Sequence, residues 1–126
     1  MFYTGYYAKL NYYKQQDLIP ISISGKLPDG MDILWWKFLA PTWYIWKNWH
    51  DGIFTNEQYT DLFYSQVLST MPQERIEQIK NTIVEMNRNN TNYILLCYET
   101  PEQFCHRHLV ADWLETLFNI DVEEYC

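Results

Sequence analysis

Cys105, His106 and Arg107 stand side by side, shortly after a carboxylate at Glu99. In succession they offer a nucleophilic thiol, an imidazole for acid–base work and a planar fork for phosphate or carboxylate. The preceding run, Tyr93 to Tyr98, is apolar throughout, as expected of a strand covered on both faces. A turn containing Pro101 follows, and a helix then begins near Cys105. Helix N-termini carry unpaired N–H groups and a partial positive charge. The sequence therefore predicts an anion site at the carboxyl edge of a sheet. A helix start and Arg107 would together lower the Cys105 thiol below its free pKa of about 8.5.

Helical spacing sorts this cluster. His106 lies one turn before Leu109 and Val110, and Cys105 one turn before Leu109, so both face the sheet. His108 is in phase with Asp112 and Glu115 on the polar face and is left out. Arg107 is placed at the rim, either on a ligand or in an ion pair with Glu99 or Asp112. Cys97, Cys105, His106 and His108 are the candidate metal ligands. Their spacing matches no zinc pattern, so no metal is expected. There is no Gly-rich phosphate loop and no serine nucleophile motif, and no cofactor is expected.

The elements that position this cluster are legible from periodicity. Phe2 to Tyr7 and Leu18 to Ser24 read as strands, the second interrupted or near an edge because of Pro20. The segment from Ile33 to Pro41 stays unassigned, and Thr42 to His50 reads as a short helix. Thr55 and Gln58 form a capping-box pattern before a helix bearing Tyr59, Leu62, Phe63 and Val67. A further helix starts near Pro72, with Ile76, Ile79, Ile83 and Met86 on its apolar face. The last helix spans Cys105 to Phe118, and Ile120 to Tyr125 suggests a final strand. Alternating strands and helices predict an α/β fold over residues 1–126: one domain, Rossmann-like, with a small, mostly parallel sheet and helices on both faces.

Composition narrows the function. Nine Lys and Arg against sixteen Asp and Glu give a net charge of −7, which argues against general nucleic-acid binding. No secretory signal is read at the start, and no apolar run approaches the roughly 20 residues that span a bilayer. Three widely spaced cysteines suggest reduced thiols and a cytoplasmic setting. Aromatic residues make up 18% of the chain, more than a domain of this size buries, so the surplus is expected to line a cleft or an interface.

The segment Leu95 to Leu114, with its Cys97-Tyr98-Glu99 and Cys105-His106-Arg107, resembles the C-terminal box of the bacterial and phage family called domain of unknown function 488. Weaker counterparts are Phe2 to Tyr7, Ser22 to Gly25 and Leu39 to Pro41. The resemblance implies a compact α/β domain and marks Glu99, Cys105, His106 and Arg107 as a shared site. It implies no particular activity. The Trp-rich stretch from Trp35 to Trp49 departs from the family pattern.

These features point to a small anionic, nucleotide-like ligand, bound by Arg107, His106, Cys105 and Glu99 with Lys26, Ser24 and Gly25. Tyr6, Tyr7, Trp35 and Trp36 are the expected aromatic walls. One form of this is a phage protein that sequesters a host nucleotide signal in the host cytoplasm. Two other functions fit the same residues. One is an enzyme acting on a nucleotide or nucleobase, with Cys105, His106 and Glu99 as catalytic candidates. The other is an interaction module or homo-oligomer built on the Trp-rich segment.

Overall fold

The computed structural model describes residues 1–125; Cys126 lies outside them. Five strands form one parallel sheet: β1 (Phe2–Tyr6), β2 (Leu18–Ser22), β3 (Leu34–Trp35), β4 (Asn92–Cys97) and β5 (Val122–Glu124), in the order β3-β2-β4-β1-β5. β4 occupies the centre, with Leu96 opposite both Gly5 of β1 and Ser22 of β2. Its continuous apolar run reflects that position, since a central parallel strand is covered on both faces. The fold is α/β and Rossmann-like, as expected.

Alternation along the strands divides the core. Phe2, Ile21 and Leu95 point to one face, where they pack with α2 (Trp43–His50), α3 (Asn56–Phe63), α4 (Gln73–Asn89) and α5 (His106–Phe118). Ile94 and Leu96 point to the other, against Leu18 and Tyr13 of the short helix α1 (Leu10–Gln15). Gly5 permits that second layer. A Cβ there would stand 2.5 Å from the Tyr13 hydroxyl oxygen and 2.8 Å from Ile94 Cδ1.

Local signals set the helix ends. Thr42 caps α2 by accepting from the Ile45 N–H. The Thr55–Gln58 capping box of α3 is formed in both directions. After Phe63 the helix continues as one wider turn, Tyr64–Leu68. Pro72 stands at the N-cap of α4, just outside its first turn.

β2 lies one strand in from the edge of the sheet, near an edge as expected. Pro20 is tolerated because β3 pairs only with Ile21 and Ser22, leaving Pro20 without a partner on that side. The unassigned segment supplies β3 and a single tight turn at Lys37–Leu39. No helix among the described residues is long and apolar enough to cross a membrane.

Candidate functional site

The chain leaves β2 and β4 at neighbouring points on the carboxyl edge of the sheet. Ser24, Gly25 and Lys26 follow β2; Cys97, Tyr98 and Glu99 end β4. Between them and α2 lies a cavity of about 740 Å³ that all six residues line. Cys105 and His106, at the start of α5, close its floor.

The wall opposite comes from α2. Trp43 and Trp46 stack at 5.3 Å between ring centroids, and Trp46 stacks on His50 at 4.7 Å and 11°. The spacing of these three residues puts them on one helical face. Trp49 meets Tyr59 and Phe104 at 5.7 and 5.6 Å, and those two rings meet edge to face at 5.0 Å. Trp43, Trp46, Trp49, Tyr59 and Phe104 all line the cavity. Lys26 and Lys37 are its exposed cations; the Lys37 ammonium also lies 5.2 Å from the Trp35 ring centroid.

The floor holds the polar groups. His106 is buried, and its Nε2–H donates to the Ile23 carbonyl at 2.6 Å. That bond fixes the neutral tautomer and leaves the Nδ1 lone pair facing Cys105 Sγ at 3.9 Å. Burial pushes the His106 pKa down to about 4, assisted by the charges of Arg107 and His108 and opposed by the Ile23 bond. Cys97 and Cys105 are joined sulfur to sulfur. The expectation of reduced thiols at these two positions is therefore corrected: the short Tyr98–Phe104 loop folds the start of α5 back onto the end of β4. Cys105 makes no side-chain cap bond to α5, and its sulfur is bonded to Cys97 instead.

Arg107 is not at the rim. Its guanidinium is fully buried and takes Glu124 of β5 in a two-pronged pair, Nε to Oε1 at 3.1 Å and Nη2 to Oε2 at 3.0 Å. Its Nη1 donates to Cys97 Sγ at 3.1 Å and to the Glu99 carbonyl at 2.5 Å. The partner is Glu124 rather than Glu99 or Asp112. Arg107 therefore braces the β4 end from beneath and does not line the cavity.

Of the residues expected at the site, the structure brings together Cys105, His106, Glu99, Lys26, Ser24 and Gly25. The four aromatic candidates lie elsewhere. Tyr6 sits under the Arg107 guanidinium, 5.9 Å from it. The Tyr7 hydroxyl shares hydrogen bonds with Ser22 and Ser24 and its ring meets Tyr98 edge-on, so it supports the Ser24–Lys26 loop from behind. Trp36 is in the core against Phe2 and Phe38. Trp35 donates its indole N–H to the Ser24 carbonyl at 2.8 Å. The missed walls are Trp43, Trp46, Trp49, Tyr59 and Phe104. For the three tryptophans the signal is their one-turn spacing along α2. Cys97, in the sequence a candidate metal ligand alone, also lines the floor.

A family model described as "Active DUF488-N3 subclade" matches residues 9–117. Comparisons with curated proteins and with solved structures find no match.

Proposed function

Because the chain belongs to the DUF488 family, over a match that includes the whole cavity lining, we propose that this cavity binds a small anionic ligand of the nucleotide type. The observation that carries this is the Trp43–Trp46–His50 column beside Lys26 and Lys37. Trp43, the outer ring of that column and part of the cavity lining, offers a free π face to a base, and the two ammonium groups suit phosphate. The volume falls in the usual range of about 300–1,000 Å³ for small-molecule sites. With a net charge of −7, the chain holds its positive groups for the ligand locally, at the rim. Sequestration of a host nucleotide signal in the cytoplasm is one form this function takes.

The test is a thermal-shift and calorimetric panel of nucleotides and cyclic nucleotides. At least one member raises the melting temperature and binds at one per chain. Trp43→Ala weakens that binding roughly 5- to 150-fold, about 1–3 kcal/mol for one stacked base. Lys37→Glu weakens it without lowering the melting temperature of the free protein. No response from any panel member sinks the proposal.

A second function is favoured by one specific observation, the sulfur pair and imidazole on the cavity floor. Arg107 Nη1 donates to Cys97 Sγ, a placement that favours the thiolate, the nucleophilic form, once the sulfur pair is reduced. His106 suits acid–base work poorly, since Nε2 is held by Ile23 and the ring stays neutral at pH 7. Recovering every panel compound intact after incubation with reduced protein favours binding over catalysis.

A further inference from the structure

The cavity floor gathers three soft or borderline ligand atoms. Cys97 Sγ, Cys105 Sγ and a ring nitrogen of His106 all lie within 4.8 Å of one another, and all three residues are buried. The His106 tautomer suits a metal. Its Nε2–H is anchored on the Ile23 carbonyl, and the free Nδ1 lone pair points toward the sulfurs. A backbone carbonyl in that outer role is the usual way of orienting a ligating histidine. The Cα atoms of Cys97 and Cys105 are 7.5 Å apart, beyond the roughly 4.4–6.8 Å that disulfides usually span. Two sulfurs on one tetrahedral ion, each about 2.3 Å from it, stand about 3.7 Å apart and relax that reach.

We infer that, in the reduced protein, Cys97, Cys105 and His106 bind one Zn²⁺ or similar thiophilic divalent ion, with its fourth position open to the cavity. Two small thiols first reduce the Cys97–Cys105 bond and leave as their own disulfide. The two protein thiols then release two protons to solvent as the ion takes both thiolates. Charge balances locally. Two thiolates offset the divalent ion, and Glu124 offsets Arg107. The Arg107 bond to Cys97 Sγ becomes an outer-shell hydrogen bond to a bound thiolate. Three protein ligands with an open fourth place is the pattern of reactive zinc sites rather than closed structural ones. The inference stands whether or not a nucleotide occupies the cavity.

The test uses the full chain, reduced, freed of reductant and titrated with Co²⁺. One equivalent produces an intense thiolate-to-cobalt charge-transfer band, and one equivalent of Zn²⁺ then bleaches it. Cys97→Ser and Cys105→Ser each abolish the band while keeping the far-ultraviolet circular dichroism of the parent, and Cys126→Ser leaves it intact. Should the serine variants fail to fold, alkylation of the unaltered chain decides. With Zn²⁺ bound, Cys97 and Cys105 resist labelling; after chelation both are labelled. Absence of the band, its survival in both serine variants, or labelling of Cys97 and Cys105 that Zn²⁺ does not slow overturns the inference.

Discussion

Arg107 keeps its charge inside the protein, where it joins the last strand to the loop beneath the cavity. Replacing it with Ala leaves Glu124 without its guanidinium and removes the donors to Cys97 Sγ and the Glu99 carbonyl. Breaking a buried ion pair costs about 3–5 kcal/mol. Because the Glu124 side chain is 22% exposed, Arg107→Ala is expected at the lower end of that range, measured by urea unfolding. His106 gives a pH signature. Its folded pKa of about 4 lies below the ordinary 6.5, so between those values the unfolded chain binds more protons. The His106 contribution is present above about pH 6.5 and is lost as pH falls toward 4. Metal-free protein is expected to lose about 2 kcal/mol from this group between pH 7 and pH 5, and the His106→Gln variant lacks that component. Helical phase alone placed Cys105 and His106 correctly toward the sheet. It could not aim Arg107, because the partner belongs to β5, whose place beside β1 is set by non-local pairing.

At the scale of elements, the fold depends on close approach in its central strands. Gly5→Ala drives a methyl into the Tyr13 ring and Ile94, and overpacking of this kind costs about 1–3 kcal/mol. A fall in the melting temperature of Gly5→Ala, with an unchanged circular dichroism spectrum, is the expected result. Thr55→Ala removes one half of the α3 capping box and is expected to cost about 0.5–2 kcal/mol by chemical denaturation. The long helices and the central strand were readable because each carries its own periodicity. β3 and α1 were not. Two strand residues and a six-residue helix have too little pattern of their own, and both are held by the sheet. Pro20 signalled a strand near the edge, and β2, beside a very short edge strand, treats that residue as an edge would.

At the scale of the molecule, the cavity is assembled from segments distant in sequence: the loop after β2, the start and face of α2, Tyr59, and the turn between β4 and α5. The sequence showed Ser24, Gly25 and Lys26 of the first, and Glu99, Cys105 and His106 of the last. The α2 wall was visible only as an unexplained surplus of tryptophan, because which face of α2 meets the sheet edge depends on the whole layer of helices. The chain has six Trp, which makes its indole N–H resonances a map of the site. The most direct measurement is therefore a heteronuclear spectrum of the indole groups during titration with the nucleotide that gives the largest thermal shift. Stacking in the cavity predicts saturable shifts at Trp43, Trp46 and Trp49, with Trp36 in the core and Trp113 on α5 unmoved. Indole signals that stay fixed under saturating ligand, or that move at Trp113 and not on α2, contradict it.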